Sequence, residues 1–127
     1  MLLVAALLAA SACLPHAGHQ SLEGVLVAHT FAGPPNFESV KAGDRPERYW
    51  LLRLPHPICV AEDPTDPDTG AGAKDVREIQ LILAPEDFVR YRPLLGKTVT
   101  AEGGFMSAIT GHHHTPILLE GVTLKGR

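Results

Sequence analysis

The chain has 127 residues, enough for one small domain and too few for two. Hydrophobic residues make up 45%, which argues against a disordered chain. The formal net charge is -3, with Lys+Arg 11 against Asp+Glu 14, so nothing supplies the cationic surplus that a phosphate backbone needs, and nucleic acid is not an expected partner. The opening "MLLVAALLAASAC" is apolar and uncharged, and too short to span a bilayer, so no transmembrane span is expected. It reads as the apolar region of a signal peptide over residues 1–12, with Ala10-Ser11-Ala12 as the cleavage site and without the usual positive start. Residues 13–127 then form a single domain, periplasmic or secreted. Export puts Cys13 and Cys59 in an oxidising compartment, where an even count favours a disulfide. The alternative is a lipoprotein acylated at Cys13.

Past a short leader, "LEGVLVAHTF" (22–31) has the β-branched and apolar content of a first strand. "AGPPNFESVKAGDRPE" (32–47) is rich in turn formers and predicts a long loop of the kind that is usually functional. "RYWLLRL" (48–54) is a second strand with Trp50, Leu52 and Leu54 on one face, continued raggedly through Pro55 and Pro57. The acidic stretch 61–74 predicts an exposed, flexible loop. Its carboxylates Glu62, Asp63, Asp66 and Asp68 lack the calcium-loop spacing. "VREIQLIL" (76–83) is a third strand, with Ile79, Leu81 and Leu83 inward and Glu78 and Gln80 outward.

A helix of about two turns starts at Pro85, with Glu86 and Asp87 in its first turn and Phe88 and Tyr91 on its buried side. Pro93 and Gly96 stop it. "KTVTAEGGFMSAI" (97–109) is a fourth strand, bulged or bent at Gly103-Gly104, and "PILLEGVTL" (116–124) a fifth. Three strands, a short helix and two strands is the element order of an oligonucleotide/oligosaccharide-binding (OB) fold. The expected class is therefore all-β with one short helix: a five-stranded, OB-like Greek-key barrel, with Trp50, Leu52, Ile79, Leu81, Val99, Ile117 and Leu119 buried. In such a barrel the connections between strands one and two and between strands four and five flank one face. They correspond here to residues 32–47 and 110–115.

The stretches "FAGPPNFESVKAGDRPERYWLLRL", "ICV", "VREIQLIL", "YRPLLGKTVT" and "TGHHHTPILL" resemble a family of exported bacterial proteins with a domain of unknown function. The resemblance covers most of the chain from Cys13, and TGHHHT with GPPN...GDRPE is its specific part. It implies a secreted or periplasmic location and two cysteines matching Cys13 and Cys59. That favours the disulfide over lipidation. It implies no activity.

The histidines admit three roles. In an extended segment His112 and His114 point one way and His113 the other, so His112 and His114 are the candidate ligands of zinc or copper. Two ligands are too few. A third would come from Asp44, Glu47, His29 or Glu102. A structural role needs less: Gly111 allows a tight turn, Thr110 and Thr115 cap it, and the rings pack on Pro34, Pro35 or Phe37. The remaining role is binding. Asn36, Phe37, Asp44, Arg45, Tyr49, His112, His113 and His114 make a polar and aromatic rim suited to a small polar ligand, a glycan or a protein. No catalytic residue is assigned and an enzyme is not expected, because Ser39 and Ser107 lack an activating motif and Cys59 is better explained by pairing.

Overall fold

The computed structural model describes residues 12–127, so the expected signal segment lies outside the described residues except for Ala12. Five strands form the fold: β1 (His19–Ala32), β2 (Pro46–Val60), β3 (Ala73–Leu81), β4 (Thr98–Ser107) and β5 (Ile117–Gly126). One helix, α1 (Pro85–Tyr91), runs into a 3₁₀ turn, Arg92–Leu94, between β3 and β4. The strands close in the order β1-β2-β3-β5-β4. All pairings are antiparallel except the short parallel one between β3 and β5, Gln80 opposite Leu118 and Leu81 opposite Leu119. This is the OB-like, all-β architecture that the element order predicts. No described helix is long and apolar enough to cross a membrane.

Closure depends on β1 serving two neighbours. Its first half pairs with β4 up to Val25 opposite Thr98, and its second half pairs with β2 from Val25 opposite Arg53. The changeover is at Gly24, where a Cβ would lie 2.5 Å from the Arg53 carbonyl oxygen, so only glycine lets the strands approach that closely. The strand bounds differ from the expected ones. β1 begins at His19 rather than Leu22, because ladder pairing to β4 extends it beyond the apolar run. β2 continues to Val60, with its register slipping between Arg53 and Ile58, where Pro55 and Pro57 stand. The bulge at the fourth and fifth strands lies mainly on β5. Glu102 faces Thr123 and Gly104 faces Glu120, so two β5 residues, Gly121 at φ 61° and Val122, stand opposite the single Gly103 of β4. Gly103 is the tight spot opposite, against the Glu120 carbonyl.

The core is the barrel interior. Trp50, Leu52, Ile79, Leu81, Val99, Ile117 and Leu119, all expected there, are buried in one cluster with Leu26, Val60, Val76, Ala101, Phe105 and Tyr91. Trp50 meets Phe88 of α1 edge-on, with ring centroids 5.1 Å apart, so the helix closes the barrel end through an aromatic pair. Cys13 and Cys59 are bonded, 46 apart in sequence. Leu14 donates its N–H to the Cys59 carbonyl and accepts one from Ala61, which ties the N-terminal segment along the end of β2. The acidic loop is stitched to itself. Asp63 donates its N–H to the Gly70 carbonyl, and its carboxylate accepts from the backbone N–H and hydroxyl of Thr65.

Candidate functional site

The β1–β2 loop (33–45) is organised from inside by Asp44. Its side chain is buried, and its two oxygens accept the backbone N–H groups of Asn36 (2.9 Å), Glu38 (2.8 Å) and Ser39 (3.0 Å). The hydrogen bonds from Ser39, Glu38 and Asn36 hold the Asp44 carboxyl below its ordinary range. Between two of those donors sits Phe37, whose φ of 55° lies in the left-handed region that bulky residues avoid. The carboxylate thus clamps the backbone on both sides of a strained residue. The result is that the Phe37 ring is held over the other loop. It meets His112 edge-on at 5.3 Å, and a Cβ on Gly111 would lie 3.0 Å from it.

The β4–β5 loop (108–116) is anchored from below by Gln80. Along β2, β3 and β5, Leu51, Gln80 and Leu118 face one another on the outer side of the barrel, yet all three are buried. Alternation along β3 places Gln80 outward, as expected, but the histidine loop covers it. Its amide donates to the His112 carbonyl (3.1 Å) and accepts the N–H of His114 (2.7 Å). Both ends of the side chain are therefore used. Thr115 completes the anchor: its hydroxyl accepts the Gln80 N–H and donates to the Ile117 carbonyl. Thr110 caps the turn, with its hydroxyl accepting the His112 N–H.

Glu47 joins the two halves. His112 Nδ1 lies 2.5 Å from its Oε1, and His114 Nε2 lies 3.1 Å from its Oε2. Burial alone would raise the Glu47 carboxyl, but hydrogen bonds from His114, His112 and Tyr49, with the His112 charge, outweigh that and leave it lowered. Burial and the nearby Glu47 charge raise the Tyr49 hydroxyl in turn. The His114 ring stacks on Phe31 at 4.2 Å with an interplanar angle of 5°, and Tyr49 and His29 extend the aromatic group. His113 turns the other way, and its Nδ1 accepts the Ile109 N–H, so its Nε2 carries the proton when the ring is neutral.

The two loops expected to share a face therefore do so. Asn36, Phe37, Arg45 and His112 are exposed and His113 partly so, whereas Asp44 and His114 are turned inward and hold the loops. His112 and His114 do point to one side, toward a carboxylate. Among the described residues no three His, Cys, Asp or Glu side chains are grouped to hold a metal ion. Sequence reasoning missed Gln80 and gave Glu47 only a possible ligand role. It also missed a buried contact between His16 Nε2 and Ser107 Oγ, 2.9 Å apart. Ser107 donates its own proton to the Ala71 carbonyl (2.6 Å), so His16 is the donor of that pair and does not act on the hydroxyl as a base.

Residues 78–124 match a family described as "Domain of unknown function (DUF4431)". That supports the resemblance to a family of unknown function from the end of β3 into β5, histidine segment included. No curated protein and no solved structure matches the chain.

Proposed function

We propose that the chain is an exported, non-catalytic binding or interaction domain, periplasmic or secreted, whose ligand or partner face is the rim of the 32–47 and 110–115 loops. The observation that carries this reading is the Glu47 clamp with the Asp44-held turn. Together they preorganise an exposed face of Asn36, Phe37, Arg45, His112 and His113 on a rigid barrel. A strained, exposed aromatic supported by a buried carboxylate is costly for a loop that only connects strands, and such strain clusters where ligands are held. The mixed aromatic and polar rim suits a small polar ligand, a glycan or a protein.

The test is native mass spectrometry of untagged protein recovered from a bacterial periplasm, beside Phe37→Ala and Arg45→Ala. The expected result is an added mass or partner on the wild type that both variants lose while keeping its melting temperature. Variants that retain the added mass would count against this face. An adduct of zinc or copper mass, lost from the double change His112→Ala and His114→Ala, would favour a histidine metal centre instead. Histidine changes that lower stability alone would leave the loops with a purely structural role.

A further inference from the structure

We infer that a cleft between β2 and the α1–3₁₀ segment is a separate binding site for a small carboxylate with an aromatic or aliphatic body. The cleft measures about 520 Å³ and is lined by Arg48, Trp50, Phe88, Arg92 and Leu95. That volume is in the range of small-molecule sites, roughly 300–1,000 Å³. Its apolar wall is the edge-on pair of Trp50 and Phe88, with Leu95 beside it.

What distinguishes this cleft is its charge. Arg53, Arg77 and Arg127, which line two other concavities, are paired with Glu78, Asp75 and Glu23. Arg48 and Arg92 make no ion pair or side-chain hydrogen bond among the described residues, in a chain whose net charge is negative. A guanidinium matches a carboxylate with two parallel hydrogen bonds, and two such groups over an aromatic wall suit an anion with an apolar body. A bare phosphate would leave Trp50, Phe88 and Leu95 without a partner. Along β2, Arg48 and Trp50 alternate with Glu47 and Tyr49, so this cleft and the loop rim lie on opposite faces of one strand. The inference therefore stands independently of the loop reading.

Trp50 is the single tryptophan of the chain, so its emission reports on the cleft directly. The full chain would be titrated with 4-phenylbutyrate, 4-phenylbutan-1-ol and inorganic phosphate. The expected result is a saturable change in Trp50 emission with phenylbutyrate and binding about tenfold weaker with the alcohol, the loss that follows from removing a charge-assisted hydrogen bond. Arg48→Gln with Arg92→Gln should weaken phenylbutyrate by a similar factor or more and leave the melting temperature in place, since both side chains are exposed. No saturable change, an equal response to the alcohol, or indifference to the double substitution would overturn the inference. Phosphate binding as tightly as phenylbutyrate would overturn it too, by showing a site for bare anions.

Discussion

Phe37, Asp44, Glu47 and Gln80 decide how the two loops are built. Hydrogen bonds from His114, His112 and Tyr49 hold the folded Glu47 carboxyl below its ordinary value. It therefore contributes stability at and above that ordinary value, and the contribution is lost as pH falls through the lower folded value. In urea unfolding followed across acid pH, the wild-type midpoint should fall more steeply than that of Glu47→Gln, with the full difference present above the ordinary carboxyl value and shrinking as pH falls through the folded one. Parallel curves would show that Glu47 is not clamped. Gln80→Ala leaves the His112 carbonyl and the His114 N–H without their partner, at a cost of about 1–3 kcal/mol measurable by chemical denaturation. A surface glutamine would cost almost nothing. That second outcome is what the sequence suggests, because the period of two sends Gln80 outward and no local pattern says that a loop from 32 residues later will cover it. Asp44 was legible as a member of the site, but not its direction: turn residues and rim residues have the same composition, and only the backbone donors around Phe37 show that the carboxylate faces inward.

At the scale of elements, the strands and the helix follow from local chemistry. The helix begins at Pro85 as expected, because proline suits a first helical turn and Asp87 accepts the Ala84 N–H at that end. Strand ends were less legible, since β1 and β2 are lengthened by partners distant in sequence. The disulfide belongs to this scale. It holds the segment before β1 to the end of β2 and closes a long loop. Reducing it, or replacing Cys13 and Cys59 with serine, should lower stability by about 2–4 kcal/mol in equilibrium unfolding. A free-thiol assay on unfolded, unreduced protein should find none, whereas a lipid mass on Cys13 would put the bond in doubt. The β1–β2 loop should respond to Asp44→Asn by loosening around Asn36 to Ser39, seen as faster amide exchange there with the barrel amides unchanged.

For the whole molecule, one closed barrel does two things at once: its interior supplies stability, and its outer face carries the loops. Trp50→Ala tests the first, because the side chain is 5% exposed and packs against Phe88; the expected loss is about 3–5 kcal/mol in denaturant unfolding. The interior was legible from alternation, and the closure from element order. The meeting of the two loops was legible only through topology, since 65 residues separate Glu47 from His112 and nothing local links them. That meeting is the claim on which the proposed face depends. Its most direct measurement is a set of nuclear Overhauser contacts in solution between the Phe37 ring and Gly111, and between the Phe37 and His112 rings. Both sets should be present near neutral pH, and Glu47→Gln should weaken them. Contacts confined within each loop, with none between the loops, would contradict a shared face.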